Sequence, residues 1–498
     1  MPFRVEEIRD RAQRLQSAVA RAHYRLRSGL EERPTLAALY REHRLLLEPA
    51  VLPAIQHELS EAYGDERQCL KALFNWVAGQ QIEAELAPLE DELWSWETGA
   101  TVSVAEREIP LRRVPDWIMR ADDRGERLAW EAARHGRIEE AAALRLDVVH
   151  REREAVARLG LGDYIAARER LVGLDLRQVG RTASAILRGT DAPYREAFAE
   201  ETDRRIDTGR GPASRSDALW LMGMRWLGRP FEIQPLYPHV RRTLEGMGLP
   251  LAQDGSVRVD FDRRPLKDER SFTAAMEIPG EVVLVVCPLG GWPDARALLH
   301  ELGRTLHHAY SSPAIPWEER ALGDDSVGEC FALLFEELTL KRAWIESATG
   351  LSGDALTEYG PLAGFLRLYR LRREAARLLW ELELASAERP GQLADRYAEL
   401  MSDATGFAHH PVTYLTDHLR GFRSARRLRG WMLSAIVLDR LEKRFGGEWY
   451  RNPAAGQFMT EILSAGQREN AAQLATQLGA DGLTAGPLLA RVERWRRA

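Results

Sequence analysis

Two residues four positions apart, His300 and Arg304, stand where a zinc-binding helix would carry two histidines. In the intact motif, HExxH, both imidazoles lie on one helix face and hold the metal, while the intervening glutamate acts as general base on the metal-bound water. Here the stretch is HELGR, with Glu301 at the position of the base. Because a guanidinium is a cation without a lone pair to donate, Arg304 does not coordinate zinc. The motif therefore predicts a damaged metal site.

A second candidate ligand follows on the next predicted helix, in the stretch SVGECFALLFEEL. Glutamate-ligand zinc peptidases take their third ligand from such a helix, and Glu329 is the candidate here, with Glu336 two turns further on. The alternative is purely structural. Ser326 and Glu329 also stand in the S-x-x-E relation of a capping box, which satisfies backbone N–H groups at a helix start.

His307 and His308 are unsuitable replacements for the missing ligand. They lie about two helical turns, or roughly 10 Å, beyond His300, which is too far for one zinc ion with bonds near 2 Å. We therefore interpret His307 as a packed or hydrogen-bonded residue.

Arg304 is expected to place its own charge where a metal would lie. It would then make charge-assisted hydrogen bonds to Glu301 and Glu329, which relieves a cluster of unpaired carboxylates. A site of only His300 and Glu329 would bind zinc weakly, and the guanidinium would repel the ion further. We expect no cofactor, with the degenerate metal site empty.

The elements that position these residues follow from the periodicity of apolar residues. Residues 1 to about 235 repeat at helical spacing, and residues from Ser326 onward do so again. Between them, residues 256–287 contain strand-like segments, with a turn at Pro279 and Gly280. Pro293 starts the helix of His300. The sequence thus predicts a mainly α-helical protein with one small sheet beside the motif helix.

Composition excludes several classes of function. The 498 residues carry a net charge of −6 with basic residues spread along the chain, so no nucleic-acid partner is expected. The N-terminal segment is charged and no run approaches a membrane span, which predicts a cytoplasmic protein without membrane contact. Three scattered cysteines, Cys69, Cys287 and Cys330, predict neither disulfides nor a cysteine zinc site.

These motifs resemble the M3 family of oligopeptidases, the group of thimet oligopeptidase and oligoendopeptidase F. HELGRTLH matches the family's HE-x-GH and following L-H, and Glu329 falls at the spacing of its glutamate ligand. The hairpin before the helix, ending EVVLVVC, is similar to the family's edge strand, which would pair with a bound peptide. The resemblance implies a two-lobed gluzincin fold with a deep cleft. It implies an N-terminal helical lobe over 1–205 and a peptidase-like domain over 206–498, the latter with its active-site helices at about 293–345.

The resemblance reveals a second departure, in HLRGFRSARRLRGW. His418 stands at a family histidine that helps to bind substrate. The family's next positions carry tyrosines that stabilise the tetrahedral oxyanion, and Arg423 and Arg427 occupy them here. Losing one such donor typically costs on the order of a hundredfold in rate.

The sequence therefore predicts a pseudo-peptidase that binds peptides or an anionic ligand in its cleft, or that regulates an active paralogue. The alternative is an active metallopeptidase that hydrolyses short peptides with an atypical zinc site, and a scaffolding role is a third possibility. If two or more of the arginines at 423, 426, 427 and 429 face the cleft, the cavity suits an anion. If they face outward, they form a solvated helix surface, and we expect some of each.

Overall fold

The computed structural model describes residues 4–207, 209, 211–228, 230–251 and 255–496, so the first three residues of the charged N-terminal segment lie outside it. The predicted mainly helical architecture is confirmed. The first part of the chain forms ten helices: α1 (Val5–Arg27), α2 (Leu36–Glu42), α3 (Val51–Glu61), α4 (Gly64–Gly99), α5 (Val114–Arg120), α6 (Arg124–Glu139), α7 (Ala142–Arg158), α8 (Tyr164–Val172), α9 (Leu176–Gly189) and α10 (Asp191–Arg205).

One hairpin interrupts these helices, and the sequence analysis did not predict it. Strands β1 (Thr101–Val104) and β2 (Arg107–Pro110) pair antiparallel across a two-residue turn. Ala105 in that turn has a φ of 52°. Because glycine or asparagine usually occupies such a position, the sequence gives no turn signal here.

The rest of the chain is also helical apart from one sheet. Its helices are α11 (Arg215–Gly223), α12 (Ile233–Met247), α13 (Trp292–Tyr310), α14 (Trp317–Ala321), α15 (Ser326–Glu336), α16 (Arg342–Thr349), α17 (Gly353–Ser386), α18 (Ala394–Thr405), α19 (Arg423–Phe445), α20 (Pro453–Ser464), α21 (Ala471–Gln477) and α22 (Gly486–Arg496). Pro293 occupies the first turn of α13, as the sequence predicts.

The sheet lies at the predicted place in the chain and contains three strands, β3 (Val257–Asp260), β4 (Phe272–Glu277) and β5 (Glu281–Val285). Their order is β3-β5-β4, with β5 parallel to β3 and antiparallel to β4. The segment EVVLV is therefore the central strand and not the edge strand that the resemblance implies, whereas β3 and β4 lie at the two edges. Near the end of β4, the carbonyl of Met276 accepts a hydrogen bond from the Ser17 hydroxyl of α1 at 2.8 Å.

The main hydrophobic core surrounds α13, α15, α17 and α19. Every residue of α15 is buried, which matches a helix that is apolar on nearly all sides. Trp292 at the start of α13 donates through Nε1 to the hydroxyl of Tyr359 at 3.0 Å, and that hydroxyl donates to the carbonyl of Thr339 at 2.6 Å. These bonds satisfy polar atoms inside the core and fix α13 against α17.

A separate apolar cluster packs α1 to α4 together near the N-terminus. These helices meet the later part of the chain where Arg9 pairs with Glu318 at 2.6 Å and the rings of Trp76 and Trp317 lie 5.9 Å apart. The contact attaches α1 and α4 to α14, close in sequence to the motif helix. Across the described residues, every helix is too short or too polar to span a membrane.

Candidate functional site

Helices α13, α15 and α19 pack closely enough to bring the motif residues together. A Cβ on Gly303 of α13 would lie 2.2 Å from the carbonyl oxygen of Phe331 in α15. From α19, a Cβ on Gly430 would lie 2.7 Å from the Cβ of Glu329. Only glycine permits such approaches, because any side chain would overlap the neighbouring helix. Two glycines thus place Glu329 between the HELGR helix and the arginine-rich helix.

Arg304 binds two carboxylates at the start of α15. Its Nη1 donates to Oε2 of Glu329 at 3.1 Å, and its Nη2 donates to Oδ1 of Asp325 at 3.1 Å. A guanidinium suits this role because its nitrogens form a planar fork of donors. The cation therefore holds together groups that a metal ion would otherwise have to neutralise.

The charges of this cluster shift one another's pKa values. The Asp325 carboxylate is the largest influence on Arg304 and, despite burial, raises the pKa of its guanidinium. Burial alone would raise the pKa of Asp325, but Arg304 outweighs it and, with Arg426 and Arg423, lowers that pKa to about 2. Asp325 and Arg304 are thus a fully ionised pair at neutral pH.

His300 lies between two glutamates of α15. Its Nδ1 is 3.1 Å from Oε2 of Glu336, and its Nε2 is 3.6 Å from Oε1 of Glu329. Glu336 is buried and also accepts hydrogen bonds from Arg367 at 2.6 Å and from Arg370. Burial alone would raise the pKa of Glu336, but Arg370 and Arg367 outweigh it and hold that pKa well below its ordinary value. Glu336 is thus placed to accept a hydrogen bond from Nδ1, while Nε2 faces Glu329.

Glu301 is turned toward the sheet. Its Oε2 accepts a hydrogen bond from the hydroxyl of Thr273 in β4 at 3.0 Å. The predicted bond between Arg304 and Glu301 is not formed among the described residues, because Arg304 uses its second nitrogen for Asp325. The predicted bond to Glu329 is formed.

The capping-box alternative for Glu329 does not describe the start of α15. A capping box needs the glutamate side chain to accept from the backbone N–H of Ser326. That N–H donates instead to Oδ1 of Asp324 at 3.0 Å, while Glu329 binds Arg304. Glu329 is thus directed into the site.

His307 is a structural residue, in agreement with the sequence interpretation. It is fully buried, its Nε2 lies 3.0 Å from the carbonyl oxygen of Gly466, and its ring stacks on Phe331 with centroids 5.8 Å apart. The neighbouring His308 has its pKa lowered to about 3, first by burial and then by His307 and Arg304. Both imidazoles are therefore neutral at physiological pH.

His418 lies in a different environment, next to the N-terminal helices. It lines a small cavity of about 10 Å³ together with Tyr164, Glu381 and Phe422. Burial lowers its pKa to about 4, although Glu152 opposes the shift. Within the described part of the chain, no hydrogen bond or ion pair joins it to the motif helix. The structure therefore does not join His418 directly to the other predicted site residues.

The arginines of α19 differ in how far their side chains are bound within the protein. Arg429 is held by Asp324, whose Oδ2 accepts from its Nη2 at 3.0 Å. The Nη1 of Arg427 lies 3.9 Å from Oε2 of Glu374, which is a long contact, and its side chain is 43% exposed. Arg423 is exposed to solvent. Of these four arginines, only Arg429 forms an ion pair shorter than 3.9 Å among the described residues.

The donor set around Arg304 does not fit a zinc ion. Zinc sites in proteins use at least three protein ligands, and here His300 Nε2 and Glu329 Oε1 are two neighbouring donors. Arg304 holds the other oxygen of Glu329, so its positive charge lies where a third ligand is needed. Over the described ranges, no cluster of three or more metal-binding side chains occurs.

Sequence reasoning missed the residues that complete this arrangement. Asp325 precedes Glu329 by one helical turn, which places its side chain on the same face, and that spacing was an available signal. For the residues that bind Glu336, the sequence contains no comparable spacing signal. Arg367 and Arg370 lie more than 30 positions away on α17, and only the packing of α17 on α15 brings them to Glu336.

Comparisons with known proteins identify the fold. The chain matches a crystal structure of an M32 carboxypeptidase from Deinococcus radiodurans R1 with a TM-score of 0.60 and 13% identity over 99% of both chains. Metallocarboxypeptidase 1 from Trypanosoma cruzi matches with a TM-score of 0.61 and 12% identity, over 99% of this chain and 98% of that one. The molecule therefore has the helical fold of metallopeptidases of this type.

A further match is a protein provisionally described as oligoendopeptidase F, with a TM-score of 0.63 and 13% identity over 93% of this chain and 84% of that one. The expected peptidase-like fold is thus found, and carboxypeptidases share it with the oligopeptidase type that the sequence resembles. Protein-family models gave no match to the sequence, and curated proteins gave none either.

Proposed function

We propose that this protein is a pseudo-peptidase, a divergent member of the M3-like peptidases that keeps the fold but not the zinc chemistry. The observation that carries the proposal is the double ion pair from Arg304 to Glu329 and Asp325. In it, a permanent cation of the chain replaces a metal ion in neutralising the carboxylates. The fold is then stable without a metal, and the water-activating step has no Lewis acid.

The remaining site residues support the same proposal. Glu301, at the position of the general base, is bound to Thr273 of β4. Arg423 and Arg427, at the positions where the family resemblance places tyrosines, are cations in place of neutral hydroxyl donors. We propose that the protein acts in the cytoplasm by binding a peptide or an anionic ligand, or by regulating an active paralogue.

One observation favours the alternative, an active oligopeptidase with an atypical zinc site. His300 keeps its Nε2 toward Glu329, and Glu336 holds its other nitrogen, as the carboxylate partner of a metal-binding histidine does. Zinc binding at this pair would require Arg304 to leave Glu329. The alternative therefore predicts that zinc and the Arg304 ion pair exclude each other.

Metal analysis and peptide cleavage decide between the two functions. We expect far less than one zinc ion per chain in purified protein, and no cleavage of quenched oligopeptides with or without added zinc. Glu301→Gln serves as the matched control, because it removes the base without changing the ion pairs of Arg304. Stoichiometric zinc, or cleavage that Glu301→Gln abolishes, would establish the alternative.

A further inference from the structure

Three arginines at the start of α19 share one face of the helix. Arg423, Arg426 and Arg427 are related by three and four positions, the spacing that brings side chains together on a helix surface. Gly430, a further turn along, contacts Glu329. The three residues, called the arginine face below, therefore lie along the helix that packs on the site of Arg304.

The arginine face also meets the N-terminal helices. Three positions before Arg423, Arg420 forms ion pairs with Glu83 and Glu90 of α4. Against the effect of burial, Arg304 and, with smaller effects, Arg426 and Arg423 lower the pKa of Asp325 at the start of α15. Arg423 nevertheless remains exposed to solvent. It therefore lies at a solvent-exposed position at the start of α19.

The acidic groups around this face are already bound elsewhere. Arg304 holds Glu329 and Asp325, while Arg420 binds Glu83 with its Nη2 at 2.9 Å. Glu374 is 3.0 Å from Nη1 of Arg377. These pairs leave few acceptors for the arginine face.

The guanidiniums of the arginine face consequently have unused donors. Among the described residues, neither Arg423 nor Arg426 forms an ion pair, and the buried Nε of Arg426 has no hydrogen-bond partner. Arg427 makes only its 3.9 Å contact with Glu374. Cations that lie this close together with few counter-ions repel one another. An anion bound at the arginine face would relieve this repulsion.

We propose that the arginine face binds an oxyanion group of a ligand, with Arg423 and Arg427 as its main donors and Arg426 supporting them. This inference rests on the proposed function, since Arg304 must stay on its carboxylates for the acidic groups to remain neutralised. A guanidinium can donate hydrogen bonds to two oxygens of a carboxylate or of a phosphate. The arginine face would therefore recognise either group by the same hydrogen bonds. A neutral peptide segment would leave the donors unsatisfied.

Calorimetric titration with four probes tests the inference on the full chain. The probes are inorganic phosphate, an acetylated and amidated tetraglutamate, the matching tetraglutamine, and tetraglutamine with a free C-terminal carboxylate. We expect binding of at least one charged probe and none of the capped tetraglutamine. The identity of that probe assigns the oxyanion to a phosphate, a side-chain carboxylate or a chain terminus.

Single variants locate the binding. Arg423→Gln and Arg427→Gln are each expected to weaken it about tenfold or more, because each removes charge-assisted hydrogen bonds. Arg440→Gln on the exposed surface of α19 removes the same charge from the same helix and is expected to leave binding unchanged. The inference is overturned if no charged probe binds wild-type protein, or if Arg423→Gln and Arg440→Gln bind equally well. Zinc content and cleavage test the proposed function separately, so a failure of the inference can be distinguished from a failure of the proposed function.

Discussion

At the scale of single residues, Arg304 determines what the motif can do. The exchange of a histidine for arginine replaces a neutral metal ligand by a permanent cation. The cation then binds Glu329 and Asp325, which would repel each other in a site without metal. The same substitution therefore removes the metal chemistry and stabilises the carboxylates that remain.

Replacing Arg304 tests whether it stabilises these two carboxylates. Arg304→Ala leaves a buried Glu329 and its neighbour Asp325 without a counter-ion, so we expect the free energy of unfolding at pH 7 to fall by about 2 to 4 kcal/mol. Arg440→Ala, which removes an exposed arginine of α19, should change it by less than about 0.5 kcal/mol. Chemical denaturation measures both, and equal stability of the two variants would contradict the role of Arg304.

The difference in the free energy of unfolding between wild type and Arg304→Ala should depend on pH. The pKa of Asp325 in the folded protein is lowered to about 2, below the ordinary value of about 3.9 for the unfolded chain. The stabilisation that the ionised Asp325 provides is therefore fully present above about pH 4 and is lost as the pH falls toward 2. We expect the stability gap between wild type and Arg304→Ala to narrow over that interval.

At the scale of elements, the site depends on close packing of α13, α15 and α19. Helix periodicity predicts each helix, but it does not show which glycine lies against a neighbouring backbone. Gly303 of α13, which precedes α15 in the chain, and Gly430 of α19, which follows it, both lie against α15. The close approach sets the distances from Arg304 to its two carboxylates.

A methyl group at position 303 should separate these helices. Because its Cβ would lie 2.2 Å from a carbonyl oxygen, Gly303→Ala is expected to lower the free energy of unfolding by about 3 kcal/mol. Gly136→Ala in α6 is the matched control, since nothing lies within 4 Å of that Cβ. There, higher helix propensity should raise stability by about 0.5 to 1 kcal/mol. Thermal denaturation distinguishes the two, and equal effects would refute this packing.

At the scale of the whole molecule, the main core joins both proposed parts of the chain. Tyr194 of α10 stacks on Phe365 of α17 with centroids 5.6 Å apart, and Arg372 of α17 donates to the Thr190 hydroxyl at 2.8 Å. Arg9 and Glu318 add a contact outside this core. The division into 1–205 and 206–498 remains a prediction about lobes, and the core gives a reason to expect that the lobes depend on each other.

This dependence can be measured by comparing the full chain with the fragment 206–498. The full chain is expected to unfold in one cooperative transition, whereas the fragment should bind a hydrophobic dye and lack a sharp transition. The reason is that α17 would expose the apolar face that packs on α9 and α10. A fragment that folds cooperatively by itself would show that 206–498 is an independent domain.

The sequence by itself determined the helical class, the position of the small sheet, and the motif in which Arg304 replaces a zinc ligand. Those features follow from local periodicity and from the chemistry of single side chains. It did not reveal the β1–β2 hairpin, whose turn lacks glycine and asparagine. Only the tertiary structure decided that Arg304 binds Asp325, that Glu336 is held by arginines of α17, and that His418 lies apart. These contacts depend on how helices that are distant in sequence pack together. The spacing of apolar residues predicts each helix but does not specify that packing.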